Sequence, residues 1–415
     1  MKFHLTILVY LLLICSCTRT TTSYTEDISK FTTIHAPQKI KDLQFVKYSD
    51  VFDSVKIIKL ESTKSSLIGR IDKVLYYDSK IFILDQTERK AVFEFDANGK
   101  FIRQFGSVGN GPGKYNEPND ISVNKKELAI WVSDLEKFVI YDLDGRFLRE
   151  VKTASFGKSG AMLDDNKFAV YLDIGADVAS GEKFNLKVIN DQGEVTHVAF
   201  EKKDKDFSKG SFFFSQNENQ FIISPGYSNN IYALGNNAVT KKFAVDFGQY
   251  QMPADFSQKF PTAIKFQQAL SRSNYAYLSK YWDTPGYLVF SFVYKGMLFD
   301  AYYSKRTKVL KFGNAWFNNV HGILSGVNKG AYADNIIAIY DPAHVDSYQK
   351  TYKSPPSKNQ IDTLVSGANR FFRTGGNEGK FVASDFSYSK EEIDLLHSIK
   401  TSDNPVILIQ KLKKF

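Results

Sequence analysis

The stretch with the clearest chemical potential is Gly106-Ser107-Val108-Gly109-Asn110-Gly111-Pro112-Gly113-Lys114-Tyr115. Glycines at this density let successive backbone N–H groups converge, and such a concavity can hold a phosphate or carboxylate. The loop lacks the Lys-Ser/Thr and following helix of a P-loop, and dinucleotide-binding spacing is absent. The competing reading is a sharp turn between two structural units. Asn110, Lys114, Tyr115, Asn116 and Asn119 then stand as exposed candidates for ligand contact.

Other chemistry is sparse. His35, His197, His321, His344 and His397 are scattered without zinc-site spacing, so neither a metal nor a cofactor is expected. Trp282 and Trp316 are closer candidates, because an indole is a flat platform for sugar rings or peptide side chains. Asn318 and His321 follow Trp316 and join the candidate set. Phe212-Phe213-Phe214 reads as core strand. Acids that would serve a metal-dependent enzyme are Asp72, Asp120 and Asp164, with Asp72 and Asp120 expected near opposite strand ends. No nucleophile elbow, Ser/His/Asp order or Cys nucleophile is present.

The first residues direct export. Lys2 precedes an apolar run from Leu5 to Ile14, too short to span a bilayer, followed by Ile14-Cys15-Ser16-Cys17. This resembles a bacterial lipobox, with residues 1–16 as signal peptide and Cys17 as the lipidated residue. Cys15 and Cys17 are the only cysteines, so the mature chain would hold no disulfide. Residues 17–39, rich in Ser and Thr without periodicity, read as a lipidated tether.

A formal charge of +9 suits an exported protein near an anionic envelope surface. No basic helix or Lys/Arg run with interleaved aromatics is present, so no nucleic-acid partner is expected. With 43% hydrophobic residues, 35 Phe and 23 Tyr, the core is ample for packed sheets.

What must position these residues is a repeat. Phe95-Asp96-Ala97-Asn98-Gly99-Lys100-Phe101-Ile102-Arg103 is echoed by Tyr141-Asp142-Leu143-Asp144-Gly145-Arg146-Phe147-Leu148-Arg149. Asn98-Gly99 and Asp144-Gly145 are type I′ turn signals flanked by alternating strands, and Asp191-Gln192-Gly193 takes the same place later. The two turns lie about 46 residues apart, room for four short strands, which is the size of a propeller blade. The spacing predicts an all-β, six-bladed β-propeller over residues 40–415, with seven blades as the alternative. Val55–Leu60 is unassigned to any blade and resembles Pro405–Leu412 in pattern, so the two strands are expected to share the last blade and close the ring. Helical insertions are expected at about 256–280 and 342–403, with Ser389 and Glu392 forming a capping box. Strand direction puts both insertions and the Gly-rich loop on one face, the top.

Ile68-Gly69-Arg70-Ile71, Phe82-Ile83-Leu84-Asp85 and Gly106-x-x-Gly109-x-Gly111-Pro112-Gly113-x-Tyr115 resemble the six-bladed β-propeller lipoproteins of gut Bacteroidetes, NHL-repeat-like in style. Lys114 stands where that family commonly has an acid. The resemblance implies fold and an envelope location, and no settled activity.

The expectation is an outer-membrane lipoprotein, non-catalytic, binding a ligand on its top face. An envelope protein, a glycan or a peptide are the partners considered. The rival is a lactonase- or lyase-like propeller enzyme with a metal in its central channel, for which metal analysis is the discriminating measurement.

Overall fold

A computed structural model describes residues 22–415 except 165, 174–180, 203–206, 208–213, 236–237, 321–323 and 375–380. Six four-stranded antiparallel units follow one another in a ring. Their innermost strands are Lys73–Tyr77, Asp120–Val123, Ser159–Asp164, Ser215–Asn217, Ala276–Asp283 and Val327–Tyr332, for blades one to six. Apolar residues cluster between each pair of neighbouring blades, so both sheet faces are buried. Ile83 and Phe93 of blade one, for example, meet Ile337 and Ile407 of blade six, while Phe82 and Leu84 meet Ile121 and Leu128 of blade two. Alternation along each strand therefore serves two interfaces at once.

The ring closes as the sequence implied. Phe52–Lys59 pairs antiparallel with Val406–Leu412, with Ile58 opposite Ile407 and Val55 opposite Gln410. Val406–Leu412 is thereby paired on both sides, and Phe52–Lys59 becomes the outer strand of the blade.

The repeated turn differs from the expected type. Only the glycines take positive φ, +86° at Gly99 and +85° at Gly145. Gly99 N–H donates to the Asp96 carbonyl, and the ladder shifts register between Glu94 and Phe95. This is a type I turn followed by a glycine bulge. The Asp96 carboxylate accepts from the N–H groups of Asn98 and Lys100, and Asp142 and Asn190 do the same in blades two and three. A Cβ at Gly99 would lie 2.1 Å from the Lys59 carbonyl oxygen, so the turn is pressed against the outer strand of the preceding blade. The repeat thus records an inter-blade contact as well as a hairpin.

Residues 22–47 correct the tether reading. Thr22–Ser23 pairs parallel with the outer strand of blade three, and Thr25–Asp27 and Thr32–His35 with that of blade four. Phe45–Lys47 then pairs with Ala315–Phe317, just beyond blade five. Tyr24 is buried against His197, with ring centroids 4.6 Å apart, and Ile34 is buried in the core between blades four and five. Threonine-rich sequence lacks apolar periodicity yet suits an edge strand, which is why composition alone suggested a tether. The segment is a belt running along the outer edges of blades three and four to the link after blade five.

The insertions are less helical than expected on one side and more on the other. In the first, Ala263–Arg272 is the α-helix, preceded by a short 3-10 turn at Ser257–Lys259, and residues 276–280 belong to the inner strand of blade five. The second holds Val345–Thr351, which the sequence did not announce, with Lys358–Thr374 and Lys390–His397. The Ser389–Glu392 capping box is present. Lys47 pairs with Asp385 at 2.5 Å, and Phe381 packs on Phe45 and Phe317, so this insertion docks on the belt and the rim. No helix among the described residues is long and apolar enough to cross a membrane.

Candidate binding cup in the central channel

The inner strands surround a cavity of about 470 Å³. That volume falls within the range of small-molecule pockets. Its mouth is formed by residues that precede or begin these strands: Asp72, Asn119, Lys158 and Phe214, with Gln86 beside them. Its floor is built by blade four. Gln216 reaches the backbone of Val123 in blade two, accepting from its N–H at 3.2 Å and donating to its carbonyl. The Asn217 amide donates to the carbonyls of Asp283 in blade five and Ala333 in blade six, and accepts from the Ala333 N–H. Two neighbouring side chains therefore span the axis and turn a channel into a cup. Beyond this floor Tyr76 and Tyr332 stack at 4.0 Å beside a separate, shallower depression.

The wall is cationic. Lys73, buried, pairs with the Asp120 carboxylate at 2.6 Å and donates to the Ile121 carbonyl at 2.9 Å, while Ser159 donates to the same carboxylate. That network locks blades one to three and neutralises Lys73. Asp72 is likewise engaged, accepting from Arg70 Nε at 2.7 Å and from the Gln86 N–H at 2.8 Å. Asp72 and Asp120 both sit at the top ends of their strands, against the expectation of opposite ends. Each inner strand runs in the same direction, and each acid stands at its start.

Lys280 and Lys329 complete the wall. Both stand at irregularities in the ladder. Register shifts between Leu278 and Lys280, and between Asn328 and Gly330, the latter leaving Lys329 as the extra residue. Such bulges re-aim side chains out of the regular alternation. Neither lysine forms an ion pair within 4 Å among the described residues. Burial holds Lys280 below the ordinary lysine range, with Asp300 opposing. Burial and then the Lys280 charge push Lys329 down to about 8, with Asp72 opposing and Arg70 adding to the fall.

The residues chosen from the sequence scatter. Asn119 and Trp282 reach the cup, although Trp282 is largely buried and Asn119 accepts from the Ser133 N–H at 2.6 Å. Asn110 and Lys114 are exposed on the inter-blade loop and do not line it. Tyr115 is not exposed at all: it is buried between blades one and two and donates to the Phe105 carbonyl at 2.7 Å. The Gly-rich loop is folded onto itself, Gly113 N–H meeting Glu150 at 3.3 Å and Gly109 N–H the Tyr115 carbonyl. A carboxylate already sits where an anion would. Asn318 is buried and donates to the Leu324 carbonyl. Trp316 is half-buried, packed edge-on against Tyr302 and Tyr48 with centroids at 5.3 and 6.2 Å. His321 and Cys17 lie outside the described residues.

The described residues contain no group of three His, Cys, Asp or Glu side chains that could hold a metal. Within the cup the carboxylates are engaged and the remaining ionisable groups are ammoniums, so its donor set does not fit a divalent cation. Among the described residues, neither Ala263–Arg272 nor the helices of the second insertion supply a lining side chain. What sequence reasoning missed were Lys158, Lys280 and Lys329. Lysines inside otherwise apolar inner strands were a usable signal; the bulges that aim two of them were not.

A family profile for a domain of unknown function (DUF4934) matches residues 31–370. The chain belongs to the DUF4934 family. This agrees with the Bacteroidetes-type propeller resemblance read from the first blades. A Bacteroides fragilis structure described as an exported protein superposes on 93% of this chain and 100% of its own, with TM-score 0.70 and 16% identity. A DUF4221 member from Bacteroides vulgatus covers 87% of this chain and 98% of its own, at TM-score 0.47 and 7% identity. Streptogramin B lyase reaches TM-score 0.38 at 14% identity, covering 70% of this chain and 80% of its own. The DUF4934 chain shares its fold with the Bacteroides fragilis protein, and at 16% identity nothing finer. No curated protein matches it in sequence.

Proposed function

We propose that this chain is a non-catalytic, exported binding propeller, anchored to a membrane through lipid on Cys17, that captures a small molecule in the cup of its central channel. The observation that carries the reading is the cup itself, a cavity of about 470 Å³ closed below by Gln216 and Asn217 and open above. Its wall combines polar groups with Phe214, Tyr281 and Trp282, the mixture that orients and holds a ligand. Similarity to a protein described as exported supports the location. The metal-dependent enzyme is the weaker reading, because the cup presents lysines where a metal would need carboxylates or imidazoles.

Gln86 provides the test. It is half-buried at the mouth, and among the described residues its side chain makes one long hydrogen bond, to Glu117 at 3.4 Å. Gln86→Trp should plug the cup without disturbing the blades. Small molecules from an envelope extract, retained by the purified protein and read by mass spectrometry, should be lost in this variant at unchanged melting temperature. Equal retention by both proteins would place binding elsewhere.

A further inference from the structure

The cup has a chemical preference, and two residues set it. We infer that the cup takes a small organic anion, a carboxylate or a phosphate or sulfate ester, with Lys280 and Lys329 clamping the acidic group. The inference rests on the cup being the binding site.

Two ammoniums that share one half-buried cavity are costly to keep. Each loses hydration, and each repels the other. A fold that needed only packing would place Met or Leu at these positions, which the apolar flanks Leu278 and Ala331 would accept. Instead, bulges in two different blades turn both side chains into the same space. Perturbed groups in a cleft, brought together from separate elements, mark a site whose missing partner carries the opposite charge. The other charges around the cup sharpen this. Lys73 is matched by Asp120, and Asp72 is already paired with Arg70, so Asp72 only partly offsets the lysine pair. Asp300 lies behind Lys280, held by Ser291 at 2.5 Å, where burial raises its carboxyl above the usual carboxylate range. Lys158 adds a further cation at the mouth.

The rest of the ligand is constrained as well. A cavity of about 470 Å³ has room for an acid attached to a body of about one ring, and not for a polymer chain threaded through, because Gln216 and Asn217 close the floor. Trp282, Tyr281 and Phe214 border the cavity with rings almost wholly buried between blades, so they fix its shape more than they offer apolar surface.

Four probes built on the same sugar ring separate the chemistries: D-glucuronate, glucose 6-phosphate, glucose 6-sulfate and neutral glucose, titrated calorimetrically into the purified full chain at pH 7. At least one charged probe should bind tenfold or more tighter than glucose, and the arm that responds names the acid. Lys280→Met/Lys329→Met should lower that affinity at least tenfold while remaining folded, since both replacements keep the stem and remove the charge. Should the double variant fail to fold, Lys329→Gln alone serves, with a loss of at least threefold expected. Charged probes that bind no better than glucose overturn the inference, as does a folded double variant with wild-type affinity. The outcome for Gln86→Trp stays separate: retention lost on plugging but indifferent to the lysines leaves the cup as the site and removes the anion.

Discussion

Gln216 of blade four and Val123 of blade two exchange two hydrogen bonds across the ring, bypassing the blade between them. The pair makes the floor of the cup and ties non-adjacent blades together, so it links stability to the shape of the site. Gln216→Leu keeps the volume and leaves a buried N–H and C=O of Val123 without partners. Unfolding in urea should show a loss of about 2–4 kcal/mol. An unchanged midpoint would mean that the floor contact is incidental.

The belt gives a second test. Deleting residues 1–36 removes the parallel pairing to the outer strands of blades three and four and uncovers the pockets of Tyr24 and Ile34. A tether could be removed at no cost. Removal of the belt should lower the melting temperature by several degrees and increase aggregation, as edges become available. Ile34→Ala alone should cost about 2–4 kcal/mol.

Lys329 predicts a pH signature. With its ammonium pushed down to about 8, it is charged below that pH and neutral above. Binding of an anionic probe should therefore be strongest below pH 8 and weaken as pH rises through it; Lys329→Gln should flatten this dependence. Stability runs the other way. The unfolded lysine titrates near its model value of 10.5, so between about 8 and 10.5 the unfolded chain holds the extra proton and stability rises with pH. The facing charges are Lys280, Asp72 and Arg70, and the wild type compared with Lys329→Gln isolates this group from them.

Trp316 should behave as a packing residue. Its indole sits edge-on to Tyr302 and Tyr48, and its N–H donates to the Gly313 carbonyl at 3.1 Å. Trp316→Ala should cost about 2–4 kcal/mol of stability. Probe affinity measured at low temperature should be unchanged. Lost affinity at full stability would instead return Trp316 to the binding surface.

Cys17→Ala should shift the protein from the membrane to the soluble fraction on cell fractionation, if lipid on that sulfur is the anchor. Unchanged membrane retention would reject that anchor.

Much of this fold was legible because it repeats. Asp96–Gly99 and Asp142–Gly145 occupy equivalent turns, and hairpin periodicity leads from them to the strand count. Closure by Val55–Leu60 was legible because one strand lacked a blade and one blade a strand. The belt was not, since Thr22–His35 gains its structure from edges supplied by residues more than 150 positions later. The site was hardest. Tyr115 and Asn318 carry polar atoms that looked available in sequence, but both are spent on backbone carbonyls. Lys280 and Lys329 become neighbours through bulges, where one added residue reverses the facing of a side chain; no local pattern encodes that.

The shared last blade also constrains how the molecule can assemble. Ile58 meets Ile407, a separation of about 350 residues, so an early strand waits for nearly the entire chain before it finds its partner. Contacts of such range form late and slowly. Until the chain is complete it would carry an unpaired apolar strand at one end and a growing stack of open blades behind it. The ring can shut only at the last strand, and a chain stalled short of Val406 would keep its most adhesive strand unclaimed.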